Sequence, residues 1–129
     1  MGSAKPVQIN LSDREAELMD VLWERGASTV AEVRAELDAE LAYTTVLTML
    51  RNLEAKGYVR HDIEGRAHRY APVIAREAAR RSALHHLASK LFKGSPHLLL
   101  AHMVADGKLT DAEVRSIRKL LAEYRRRKS

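Results

Sequence analysis

The sequence of 129 residues predicts a mainly α fold with one small β-hairpin. Three observations carry this. Ser12 with Glu15, Thr29 with Glu32 and Thr110 with Glu113 each set a hydroxyl residue three positions before a glutamate, ahead of apolar residues at helical spacing. That is the pattern of a reciprocal helix cap. Aromatic residues make up 5% of a chain that is 46% hydrophobic, with Trp23 the single tryptophan, so Leu, Val, Ile, Met and Ala must build the core, which suits helices. One segment breaks the pattern, where the extended runs "YVRHDI" and "RAHRYAP" flank Glu64 and Gly65, a pair that reads as a two-residue turn with glycine supplying positive φ.

The first helix starts at Ser12, repeats Ala16, Leu18, Met19, Leu22 and Trp23 at intervals of three and four, and stops at Gly26. A short second helix follows the Thr29 cap, with Val30, Val33 and Leu37 turned inward. The third, "YTTVLTMLRNLEAKGY", puts Val46, Met49, Leu50 and Leu53 on one face, spreads Thr44, Thr45, Thr48, Arg51 and Asn52 over the rest, and ends at Gly57. Pro72 closes the hairpin. Beyond it, "IAREAARRSALHHLASKLF" carries Ala78, Leu84, Leu87, Leu91 and Phe92 as a rough stripe, interrupted by Gly94 and Pro96. The apolar helix "HLLLAHMVADG", with Leu99 and Met103, comes next, and the Thr110 cap opens a last helix lined by Val114, Ile117, Leu120, Leu121 and Tyr124.

Composition excludes several function classes. With no cysteine there is no disulfide, thiolate metal site or cysteine nucleophile. No stretch nears the roughly 18 apolar residues of a spanning helix, and the N-terminus lacks a basic start followed by an apolar run, so the expected location is the cytoplasm. His85 and His86 diverge by about 100° on a helix, and His97 and His102 share no face, so no metal or other cofactor is expected. Neither a serine elbow nor a glycine-rich phosphate loop is present, and the chain reads as no enzyme. The net charge is +5, but residues 1–73 hold nine Lys and Arg against twelve Asp and Glu, while residues 74–129 hold thirteen against five. Bulk charge therefore does not single out a nucleic-acid face.

Local pattern does. Three helices and a hairpin, the third helix polar on its exposed side, outline a winged helix-turn-helix. A helix enters the major groove with its N-terminal residues against base edges; small threonines there allow close approach, and their methyl groups suit thymine. Arg66, His68 and Arg69 on the hairpin are available to the neighbouring phosphates.

"LSDREAELMDVLWERG", "AYTTVLTMLRNLEAKGYV" and "RAHRYAP" resemble the penicillinase-repressor family, which includes the methicillin-resistance regulators and the copper-transport repressors (BlaI/MecI/CopY). The resemblance runs from about Leu11 to Leu121. It implies a homodimeric repressor of a palindromic operator in double-stranded DNA, with a winged-helix domain over 7–73 and a helical dimerisation domain over 74–129. By matching positions it implies that Thr44, Thr45, Leu47, Thr48 and Arg51 read bases and phosphates, with Tyr43 and Asn52 in the same interface. Many members have Arg where this chain has Asn52. Relatives that answer antibiotics are cut by a membrane-bound sensor protease at an Asn-Phe bond; here His102 and Met103 stand at that place. Copper-responsive relatives sense metal through cysteines that this chain lacks.

The stripe residues Leu84, Leu87, Leu91, Leu99, Met103, Ile117, Leu120, Leu121 and Tyr124 form more apolar area than three helices can bury in one thin layer, so a symmetry mate is expected to cover them. Two readings stand beside repression by DNA binding and proteolytic relief. One is a winged-helix module that binds protein through its acidic first two helices, and the other is a repressor released by a small ligand.

Overall fold

The computed structural model describes residues 8–37 and 40–129. The start of the first domain, which the sequence puts at residue 7, lies outside them. Along the chain run α1 (Asp13–Arg25), β1 (Ser28–Thr29), α2 (Val30–Glu36), α3 (Tyr43–Ala55), β2 (Val59–Glu64), β3 (Ala67–Pro72), α4 (Arg76–Leu91), α5 (Pro96–Ala105) and α6 (Asp111–Lys128). The fold is mainly α with a small antiparallel sheet in the order β1-β3-β2, the winged-helix arrangement that the sequence predicts.

All three cap pairs form. Ser12 Oγ accepts the Glu15 N–H while Glu15 returns an oxygen to the Ser12 N–H, and Thr29 with Glu32 and Thr110 with Glu113 do the same. Each pair satisfies two backbone donors that a helix start otherwise leaves open. α1 stops where Gly26 takes φ 84° and donates to the Leu22 carbonyl at 2.8 Å.

Two compact units divide the chain between Leu84 and His85. In the first, Leu18, Met19 and Leu22 of α1 meet Val30 and Val33 of α2, Leu37 at the α2 C-cap, Val46, Leu50 and Leu53 of α3, and Tyr58, Val59 and Tyr70 of the hairpin region. These residues sit at helical and strand period, which is why one face of each element closes on the others. The start of α4 belongs to this unit. Trp23 Nε1 donates to the Ile74 carbonyl at 3.0 Å, Arg76 bonds Asp20 and Glu24 at 2.8 Å each, Ala79 is buried, and the Ile9 N–H reaches Ser82 Oγ at 2.9 Å.

Two features differ from the sequence reading. The turn falls one residue later: Glu64 pairs with Ala67, so Gly65 and Arg66 are the loop. Gly65 has φ 63° and Arg66 does not share the positive φ, the pattern of a type II′ turn, which wants glycine first. The strand β1 is an addition, in which Ser28 pairs with Tyr70 and Thr29 with Arg69. Ser28 is fully buried there, its Oγ donating to the Gly26 carbonyl at 2.9 Å.

The second unit, from His85, holds the rest of α4 with α5 and α6. Lys93 (φ 52°) and Gly94 (φ 72°) turn the chain after α4, and Ser95 Oγ caps α5 by accepting the Leu98 N–H at 3.1 Å. Neither α5 nor α6 contains a buried residue.

Candidate nucleic-acid interface

α3 is held by Val46, Leu50 and Leu53, which are fully buried and repeat at intervals of four and three. At 100° per residue, Thr44, Thr48 and Arg51 therefore lie on the opposite side of the helix, flanked by Thr45 and Asn52 on one edge and by Tyr43 and Leu47 on the other. All of these but Leu47 are exposed, whereas Leu47 is half-buried and packs against the core. The sequence-derived set thus forms one continuous polar surface with Leu47 at its margin.

The start of α3 differs chemically from its neighbours. Ala42 at the N-cap offers no side-chain hydrogen bond, and the first turn has no acidic residue, whereas α1, α2 and α6 each begin with a capping glutamate. Open backbone N–H groups and the positive end of the helix dipole are left facing outward. Thr48 Oγ1 donates to the Thr44 carbonyl at 2.9 Å, so its proton is spent within the helix and it presents a methyl group and acceptor lone pairs.

The far half of α3 is tied to the sheet. Glu54 accepts the His61 backbone N–H at 3.0 Å and pairs with His61 Nδ1 at 2.6 Å. The His61 ring lies 4.8 Å from that of His68 at an interplanar angle of 8° and 5.3 Å from that of Tyr70. Burial pushes the Tyr70 phenol above its ordinary pKa, the Glu54 carboxylate adds to this, and the positive charge of Arg51 opposes it.

The three hairpin residues named from sequence fare differently. Arg66 sits exposed in the turn. His68 is exposed and stacked on His61. Arg69 is half-buried and engaged by Glu64 at 2.7 Å and Glu32 at 3.0 Å. The structure adds Ile63, paired across the strands with His68 and 68% exposed, on the sheet face that His61 turns toward α3. An apolar residue next to a polar turn gave no signal of this; only the register places it.

His102 and Met103 lie in the formed helix α5, both exposed, with the His102 ring edge-on to Phe92 at 5.5 Å. Of the residues expected at a dimer contact, Leu84, Leu87, Leu91, Met103, Leu120, Leu121 and Tyr124 are exposed, and Leu99 and Ile117 are half-buried. Among the described residues no group of three or more His, Asp or Glu is placed to hold a metal ion.

Known proteins resemble this chain over most of its length. The penicillinase repressor family matches residues 11–123. The transcriptional regulator BlaI of Mycobacterium tuberculosis is 39% identical over 117 residues, which span 88% of this chain and 83% of that protein. The penicillinase repressor of Bacillus licheniformis is 28% identical over 120 residues, 92% of this chain and 94% of that one. In fold alone, a MarR family protein from Bacillus stearothermophilus, 15% identical, superposes with a TM-score of 0.52 over 92% of this chain and 76% of its own. Because the match takes in the helices, the hairpin and the second unit alike, the chain belongs to the penicillinase repressor family of transcriptional regulators.

Proposed function

We propose that this protein is a homodimeric repressor that lays α3 in the major groove of a near-palindromic operator, with the hairpin against the adjoining backbone. One observation carries the reading: the exposed face of α3, with Thr44, Thr45, Thr48 and Arg51, begins at the helix start that has neither a side-chain cap nor an acidic first turn. Such a start favours an approaching phosphate, and small hydroxyl side chains behind it favour base edges. Tyr43, Asn52, Arg66 and His68 extend the same surface.

The second unit supports pairing. Leu91 is 66% exposed and Leu120 60%, and α5 and α6 bury no side chain. A contact that is self-complementary about a two-fold axis covers such a surface on both copies at once. Two recognition helices are then set roughly 34 Å apart, one duplex turn, or a small multiple of it.

Relief of repression by a membrane-bound sensor protease belongs to the same proposal, with His102–Met103 as the bond cut. Since both residues are helical, α5 must open before a protease can hold them extended. Intact mass of the repressor recovered while its target genes are on is the test, and an uncut chain under every inducing condition removes this part.

The deciding experiment is fluorescence anisotropy on a duplex from the protein's own upstream region against a scrambled duplex, at two salt concentrations. A repressor of this kind binds the first tightly and loses affinity steeply with salt. Thr45→Ala and Arg51→Ala should each lower operator affinity about tenfold. Equal, weak binding to both duplexes, repeated in a selection over genomic fragments, would point instead to a protein-binding winged helix.

A further inference from the structure

We infer that Arg69 is a positioning residue that fixes the angle of the hairpin, not a contact to DNA phosphate; the inference rests on the DNA-reading function proposed above. Three of its donor contacts are already used. Nε meets Glu64 Oε2 at 2.7 Å, and Nη1 meets Glu32 Oε1 at 3.0 Å and the Ala27 carbonyl at 3.4 Å. The line of charge continues away from the hairpin: Glu32 Oε2 takes Arg25 Nη2 at 3.0 Å, Arg25 Nη1 reaches Glu36 at 3.3 Å, and Arg25 Nε donates to the buried Ser28 Oγ at 3.3 Å.

Glu64, Arg69, Glu32, Arg25 and Glu36 therefore alternate in sign from the tip of β2, through β3 and the start of α2, to the end of α1 and back to the end of α2. Glu32 also closes the Thr29 cap of α2, its Oε1 accepting the Thr29 N–H at 2.9 Å. One carboxylate thus joins the start of α2 to the sheet. The backbone alone joins them weakly, because β1 has two residues and meets β3 only at Ser28–Tyr70 and Thr29–Arg69.

Arg69 and Glu32 are each 36% exposed, so solvent screens either pair and neither contributes much to stability. Their effect is on geometry. A planar guanidinium held by two carboxylates on different elements permits few hairpin orientations, and a lysine cannot reproduce that fork. Three of its five N–H groups are taken, and a phosphate approaching the remaining Nη2 pair would meet the repulsion of two carboxylates already seated on the same guanidinium. Arg66, in the turn, has no carboxylate partner among the described residues and supplies the backbone contact instead.

The test compares Arg66→Ala, Arg69→Ala and Arg69→Lys in the full chain by operator anisotropy over a salt series, with amide exchange across the β1–β3 pairing measured without DNA. Loss of one phosphate contact lowers the salt slope by about one. The expected result is that Arg66→Ala does so, while both Arg69 variants bind about threefold or more weakly with the wild-type slope, and their Ser28, Thr29 and Tyr70 amides exchange faster. The inference is overturned if Arg69→Ala lowers the slope by about one while Arg69→Lys binds like wild type and exchange is unchanged. If the wild-type protein shows no salt-dependent operator binding, the proposed function fails, and the exchange measurement still decides the role of Arg69.

Discussion

Single glutamates set how this fold responds to acid. The Glu113 carboxyl is held below its ordinary value of 4.5 by the Thr110 backbone N–H and then by the Thr110 hydroxyl. Glu32 is lowered chiefly by the Thr29 N–H, against a smaller opposing effect of burial and with help from Arg69 and Arg25. At Glu15 burial works upward, but the Ser12 N–H and the Lys56 ammonium at 3.0 Å together outweigh it. A carboxyl with a depressed folded pKa contributes stability that is complete above its unfolded value and disappears as pH falls through the folded one. Thermal midpoints should therefore hold steady down to about pH 5 and then drop through the range below 4.5, and Glu15→Gln should flatten that drop. In the core the magnitudes are larger and independent of pH: Leu50, fully buried, should cost about 3 kcal/mol on truncation to alanine, read by denaturant unfolding. At this scale the sequence was most legible. The cap pairs and the stripe Leu18, Met19, Leu22, Val46, Leu50, Leu53 are local patterns, visible within one helix turn. The partners of Arg69 were not, because Glu32 lies 37 positions away and nothing in the spacing joins them.

Among elements, the hairpin and α3 differ in how far sequence defines them. Both strands were expected, yet the turn is displaced to Gly65–Arg66, because cross-strand register and not the Glu-Gly pair decides which two residues bridge. Gly65→Ala should destabilise the protein by about 1 kcal/mol or more, since its φ of 63° admits a side chain only with strain; the midpoint of thermal unfolding reports it. The strand β1 is not legible in sequence because its two residues double as the approach to the α2 cap, and a polar Ser-Thr pair reads as a cap before it reads as a strand. In α3 the buried face was legible from its period, but the hydrogen bond that spends the Thr48 proton was not. Thr48→Val keeps the methyl shape and loses the acceptor lone pairs but no free proton, so operator affinity should fall by less than the roughly tenfold expected at Thr45 and Arg51.

On the scale of the whole molecule, the two units have different sources of stability. The first closes on its own core, whereas α5 and α6 leave Met103, Val104, Leu120, Leu121 and Tyr124 about half exposed. Sedimentation should find a dimer that Leu120→Asp converts to monomer, because a charge placed in the proposed contact would be buried without a partner. The stripe was legible as helices, but its partner was not, since a surface that lacks a mate and a surface that needs none look alike in one sequence until burial is known. The same bare stripe has a consequence for gene dosage. If pairing is what completes the second unit, the amount of assembled reader in a dilute cell grows as the square of the amount of chain made. A promoter under this protein would then respond to a twofold fall in repressor with nearly a fourfold fall in assembled reader, and a single proteolytic or transcriptional event would be amplified before it reached the operator.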